Sequence, residues 1–185
     1  MTTTLRRKTY RHGNLKADAL SAAYDLVAKA GHESLSLRQV ADAVGVAHRS
    51  LYNHFADREA LLDAVATEAY TRLAAILVNT QDPEGYIAEY VRFALANQPI
   101  YALMASRPHA TMKYNPPLQT AVHKVLTEAM RLFCADIDNS AERRRAVMRV
   151  YMILYSGISL YAAGILDLPS EKALVTELSA MSVRN

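Results

Sequence analysis

The stretch Leu37–Phe55, LRQVADAVGVAHRSLYNHF, constrains the fold more than any other part of the chain. Two short helices that cross steeply through a tight turn make three demands at once. A small residue must sit where they touch, and Ala41 does. The turn needs a residue that tolerates positive φ, and Gly45 follows four residues later. Apolar side chains must lock the unit onto a third helix, and Val40, Val44, Val46, Leu51 and Phe55 are spaced to do so. Ser36 and Gln39 form an S-x-x-Q capping box at the start. An ordinary helical hairpin is the competing reading. Spacing and residue type together favour a helix-turn-helix.

Helical periodicity runs through the rest of the chain, and strand signals are scarce. A first helix is expected from Asn14, its N-cap, to the stop at Gly31. The second begins after Ser36, and a short third spans about His48–His54. Asp57 caps a fourth that reaches about Leu77. Asp82-Pro83 opens a fifth, and Pro99 separates it from a sixth ending near Ser106. Residues 107–116 read as a loop. Pro117 opens a seventh helix, Ser140 caps a long eighth to about Leu166, and a last one spans Glu171 to about Met181. The expected fold is therefore all-α with about nine helices. Residues 1–56 form a three-helix helix-turn-helix domain with a basic arm, and residues 57–185 form a helical ligand-binding and dimerisation domain.

Charge is distributed unevenly. Residues 1–60 carry 9 Lys/Arg and 6 Asp/Glu, whereas residues 61–185 carry 12 of each. Arg6, Arg7, Lys8 and Arg11 precede the first helix with no acidic residue among them. A basic arm beside a neutral body suits an anionic polymer; a solvated tail fits the charge alone equally well. The third helix is too short and too polar to be merely structural. It displays His48, Arg49, Ser50, Tyr52, Asn53 and His54. Arg pairs bidentately with guanine and Asn with adenine in the major groove, while Tyr, Ser and His suit phosphate oxygens. The basic arm is placed to reach an adjacent groove or backbone.

Residues 10–65 resemble the DNA-binding domain of the TetR/AcrR family of bacterial repressors. The motifs that carry the resemblance are YRHGNL (10–15) and AKAGHESLSLRQVADAVGVAHRSLYNHFADREALLDAV (28–65), with LYNHF (51–55) inside it. The start resembles a branch whose C-terminal half carries a Trp-His-Gly signature, and residues 86–106 are similar to that branch's fifth and sixth helices. Two positions depart from the pattern. Ala47 stands where the family usually has Ser or Thr as the cap of its recognition helix, a loss of ~1 kcal/mol. Ser156-Gly157 stands where His-Gly would be. The resemblance implies that His48, Arg49 and Asn53 face base edges. It implies that Tyr52 and His54 touch phosphates, although packing within the domain is also open to them. It places Ser36, Arg38 and Arg58 near the DNA backbone.

The resemblance also implies an effector pocket in the body. The body is rich in Tyr and Met, which offer adaptable apolar surface with occasional polar tips. Candidate lining residues are Tyr86, Tyr90, Phe93, Tyr101, Met104, Met112, Met130, Phe133, Tyr151 and Tyr155. For each of them, plain core packing is an equal alternative. Arg107, His109 and His123 could anchor a polar or anionic group, but surface positions are favoured for all three. The family pairs helices 8 and 9 of two subunits. Here Tyr155, Gly157, Ser159, Tyr161, Ala162, Ala163 and Gly164 permit close helix approach, either across that interface or against helix 9 of the same chain.

The expected protein is a homodimeric regulator of a palindromic duplex operator, probed by two recognition helices about 34–36 Å apart. It would be a repressor released by a small, mostly apolar effector. A non-switching architectural DNA binder is the alternative. No nucleophile elbow, phosphate-binding glycine loop or HExxH run is present, so no enzyme is expected. The six histidines form no i,i+3 or i,i+4 pair, and neither a metal nor a cofactor is expected. The lone Cys134 excludes an internal disulfide. No window approaches the ~18 apolar residues of a membrane helix, and a cytoplasmic protein follows. The most apolar run, Val150–Leu166, reads as a buried helix.

Overall fold

The computed structural model describes residues 14–182, and the expected helical spacing appears in it as nine α-helices and one 3-10 helix among the described residues. They are α1 (Leu15–Ala30), α2 (Leu37–Val44), α3 (His48–Leu51), α4 (Arg58–Leu77) and α5 (Pro83–Ala96). After these come α6 (Gln98–Ser106), the 3-10 helix (His109–Tyr114), α7 (Pro116–Phe133), α8 (Ser140–Ala162) and α9 (Glu171–Ser182).

Local chemistry sets most boundaries. The Asp57 carboxylate accepts from the Ala60 amide at 2.8 Å and Asp82 accepts from Gly85 at 2.7 Å, each satisfying an orphan donor of a first turn. Several ends differ from the sequence expectation. Asn14 occupies the cap position of α1 but makes no side-chain cap bond. The cap of α8 is Asn139, not Ser140; its Oδ1 accepts from the amides of Ala141 and Glu142. The segment read as a loop contains the 3-10 helix. Asn115 caps α7, which therefore begins at Pro116. The eighth helix stops four residues early. Gly164 takes φ +69°, the Ile165 amide donates to Leu160 and the Gly164 amide to Tyr161. That pattern is a Schellman-type end, which closes the orphan carbonyls.

The apolar core runs without a break from α1 to α9. Its axis is α4, which packs chiefly on α7 and also on α1, α5 and α6. Leu61, Leu62, Val65, Leu73 and Leu77 of α4 are fully buried. Each such side chain contributes about 1.5–3 kcal/mol by leaving water. The proposed boundary at residues 56 and 57 falls in the link between α3 and α4, and the core passes across it. Helix α5 rests on α8 and α9, which pack on each other.

The Val150–Leu166 run is only half buried, contrary to its reading as a buried helix. Val150, Leu154, Gly157 and Ile158 face the core, whereas Met152, Tyr155, Ser159 and Leu160 are exposed. At Gly157 the alternative left open by the sequence resolves within the chain. A Cβ there would lie 2.4 Å from Leu178 Cδ2 on α9. No described helix is long and apolar enough to cross a membrane.

Candidate nucleic-acid interface

Helix α2 starts with a complete capping box. Ser36 Oγ accepts from the Gln39 amide at 3.2 Å, and the Ser36 amide donates to Gln39 Oε1 at 2.8 Å. Gly45 ends the helix in the left-handed region at φ +74°. A Cβ there would meet nothing within 4 Å, so glycine is needed for the backbone angle and not for space. The chain then turns through an extended Ala47, which makes no side-chain cap bond. Helix α3 has only four α-helical residues, His48–Leu51. The expected continuation to His54 is a turn, closed by the amides of His54 and Phe55 on the Leu51 carbonyl.

Buried Leu51 and Phe55 pin this segment from below, with Val40 and Ala41 of α2 beneath it in the same core. His48, Arg49, Tyr52, Asn53 and His54 are all exposed, and Ser50 is half-buried. The structure thus brings the six expected reading residues onto one short segment with most of its polar atoms toward solvent. The His48 and Tyr52 rings meet edge to face at 5.1 Å, which orients both side chains. Arg38 is exposed on α2, and Ser36 is occupied by the capping box. Arg6, Arg7, Lys8 and Arg11, with most of YRHGNL, lie outside the described residues.

Arg58, expected near the DNA backbone, makes several bonds within its own chain. Its Nε donates to the Leu35 carbonyl at 2.8 Å, and its Nη2 donates to the carbonyls of His32 at 2.6 Å and Glu33 at 3.1 Å. Its Nη1 pairs with Glu59 at 2.7 Å. The fork geometry of the guanidinium suits several carbonyls of one loop. Arg58 is committed to fastening the α1–α2 loop to the first turn of α4.

This latch continues into the body. Arg107, favoured as a surface residue, is instead 12% exposed. Its Nη1 lies 2.8 Å from Glu59 Oε2 and 3.3 Å from Asp63 Oδ1. The Asn115 amide donates to Asp63 Oδ2 at 2.9 Å. A polar chain therefore runs from the loop beside α2, through Arg58 and Glu59, to Arg107 and Asn115 at the two ends of the 3-10 helix. Hydrogen bonding to Arg107 lowers the pKa of Glu59, and the charges of Arg107 and Arg58 reinforce the shift. The links of Arg107 and Asn115 to α4 are not legible in the sequence, because the partners are 44 to 52 residues apart. The one available signal was Glu59 with Asp63, an i,i+4 acidic pair that requires a cation.

Replacing Arg107 by Met should cost about 1 kcal/mol, after discounting for the exposure of Glu59. The pH dependence should change as well. A carboxylate with a lowered folded pKa adds stability above its ordinary range and loses it as pH falls through the lowered value. Urea unfolding at neutral and acid pH should therefore be less pH-sensitive in R107M than in the parent chain. Equal pH dependence in the two would show that the pair is not energetically coupled.

In the body, Tyr86, Tyr90, Phe93, Tyr101, Met104 and Met112 are buried, Phe133 is half-buried, and Met130, Tyr151 and Tyr155 are partly exposed. They do not converge on one chamber. Tyr86, Tyr90 and Tyr151 share a narrow cavity with Tyr70, which the sequence reading missed, and with apolar residues of α7 and α8. Its volume is about 30 Å³, room for only about two waters. Burial raises the pKa of Tyr70, Tyr86 and Tyr90 well above the ordinary phenol range, so these walls are neutral hydroxyls, and it does the same to Tyr101 nearby. Tyr101 and Tyr155 line a separate cleft of about 370 Å³ between α6 and α8. Phe93, Met104, Met112 and Phe133 line neither. His123 is exposed on α7, and of His109 only the backbone is described. Among the described residues there is no cluster of metal-ligating side chains.

These elements define a helix-turn-helix protein with a helical body, and the comparisons agree. Residues 19–65 match the sequence profile of the tetR family of bacterial regulatory proteins. The HTH-type transcriptional repressor AcnR of Corynebacterium glutamicum is 27% identical across 46% of this chain and 50% of its own. The chain thus spans about half the length of that curated relative. A protein of unknown function from Rhodococcus sp. RHA1 superposes with a TM-score of 0.75 at 30% identity, covering 95% of this chain and 97% of that one. A putative TetR-family transcriptional regulator from Vibrio parahaemolyticus has the same fold, with a TM-score of 0.63 at 20% identity over 91% of this chain and 97% of that one. Residues 19–65 thus carry the tetR-family match, and the described helices share the fold of a solved TetR-family regulator.

Proposed function

We propose that the chain is a homodimeric repressor, acting in the cytoplasm, that reads a palindromic duplex operator with α3 and is released by a small effector bound in its body. One observation carries the DNA-reading part. A short segment is pinned by Leu51 and Phe55 and presents Arg49 and Asn53 to solvent beside the phosphate-binding types Tyr52 and His54. Bidentate Arg and Asn are the side chains that distinguish guanine and adenine. The C. glutamicum relative is a transcriptional repressor, which supports this sign of regulation.

Pairing through α8 and α9 is supported by an apolar face that the monomer leaves open. Met152, Tyr155, Leu160 and Met181 are all exposed there. Two copies joined on that face would double the groove contacts that one four-residue helix can make. The latch through Arg58, Glu59 and Arg107 offers a route for coupling. A ligand that favours one position of the 3-10 helix would bias α4, and with it the spacing of the two α3 segments.

Selection of bound duplexes from random DNA tests the reading, and a two-fold symmetric consensus is the expected result. Arg49→Ala should then weaken binding by ~1–3 kcal/mol and relax one position per half-site. Unchanged binding across sequences would remove Arg49 from the base contacts. The second reading, a non-switching architectural binder, is favoured by the small volume of the inner tyrosine cavity. Salt-sensitive binding without a consensus would support it.

A further inference from the structure

We propose that the groove between α7 and α8 is the effector site, and that it takes an amphipathic carboxylate: an organic monoanion with an apolar chain. This inference rests on the ligand-release reading above and gives it a place and a ligand class.

The groove has a volume of about 850 Å³, within the range of small-molecule sites. Helices α7 and α8 are joined by the short segment 134–139, so they run antiparallel and the groove has two chemically different ends. At the end near that link stand Arg143 and Arg144, both exposed. Neither forms a salt bridge with a carboxylate among the described residues. Among the described residues, no Asp or Glu lines the groove. Two adjacent guanidiniums with no carboxylate lining the groove beside them among the described residues favour an anion, and their planar fork matches a carboxylate.

Further along, Leu126, Val147, Met148 and Tyr151 make the floor mostly apolar, with Thr127 and His123 of α7 on its wall. Three of these residues, Leu126, Val147 and Tyr151, also wall the inner tyrosine cavity. The groove therefore lies directly over that cavity. A chain entering from the arginine end passes first over the groove floor and then toward the buried tyrosines. Methionine at the mouth and neutral phenols beyond it provide surface that can rearrange around an apolar tail. Tyr70 of α4 walls the inner cavity, so an apolar tail reaching it would press on the helix that carries Glu59 and Asp63.

The test uses the full chain and three ten-carbon probes: decanoate, decanol and decyltrimethylammonium. Calorimetric titration without DNA keeps it separate from the operator reading. The expected result is saturable binding of decanoate, with decanol and the cation at least tenfold weaker. The double variant Arg143→Gln, Arg144→Gln should lose at least tenfold in decanoate affinity while its melting curve is unchanged. Arg145→Gln, whose side chain does not line the groove, should bind as the parent does. Equal binding of all three probes, or decanoate binding unaffected by R143Q/R144Q, would overturn the proposal. So would failure of decanoate to bind combined with a Val147→Arg variant that turns the dimer into a monomer, because a second copy would then occupy the groove. Decanoate that binds as expected but leaves duplex affinity unchanged would retain the site and reject the release mechanism.

Discussion

Leu51→Ala is expected to abolish duplex binding and to destabilise the N-terminal helices by about 2–5 kcal/mol, the cost of a large-to-small change in a core that cannot collapse. Leu51 is the only fully buried side chain of the four-residue α3. Its carbonyl also closes the turn that follows, accepting from the amides of His54 and Phe55 at 2.9 Å. The segment is too short to hold its helical form by itself, because nucleating a turn costs more than one hydrogen bond returns. Without Leu51, only Phe55 holds Arg49, Tyr52 and Asn53 in place from below. Fluorescence anisotropy with the selected duplex would check the first effect and thermal unfolding the second. In a chain of this length each kcal/mol lost corresponds to roughly 2–4 °C. A variant that melts like the parent would mean that α3 is held by contacts other than this one. A variant that melts early but binds normally would detach the reading surface from α3.

Gly157→Val should cost about 1–3 kcal/mol through overpacking and should also lower dimer affinity. Even the first added carbon would sit 2.4 Å from Leu178 Cδ2, and Leu178 is itself buried, so it has little room to turn away. The two helices must separate, and they are the elements whose outer faces carry the proposed interface. Sedimentation of the purified variant would report the dimer, and urea unfolding the stability. Leu178→Ala in the same chain should recover part of the loss, because it removes the atoms that collide; two residues in contact are not additive. Failure of the second substitution to restore anything would place the damage in helix α8 itself.

The parts of the molecule legible in the sequence are those made over three to five residues. Ser36 with Gln39, Asp57 with Ala60 and Asp82 with Gly85 are i to i+3 contacts, and they appear in the structure as expected. The errors are also local. Asn139 competes with Ser140 for one helix start, and either residue type can cap. The end of α8 was misplaced because its apolar run continues beyond Gly164, whose positive φ outweighs the pattern. Helix α3 stops at Leu51 because the turn that follows closes on the Leu51 carbonyl, which periodicity cannot foresee.

The functional residues divide along the same line. Arg49 and Asn53 could be picked out from type and position on a short polar helix. The partners of Arg58 within the chain could not be foreseen, because they are carbonyls of a loop 23 to 26 residues away. Arg107 looked like a surface cation until α4 was placed beside it. The candidate pocket residues were chosen by composition, and the structure divides them between the core, a narrow cavity and two open surfaces.

By itself, then, the sequence determined that the chain is helical, where most helices begin, and that residues 37–55 form a helix-turn-helix, since these follow from periodicity, caps and one glycine. The tertiary structure alone decided that Arg58 and Arg107 tie the reading domain to the body, that Gly157 serves α9 of its own chain, and that the arginines of α8 border an apolar groove. Each of these depends on which distant segments meet, and the pairing of long-range surfaces is set by the packing of the whole core.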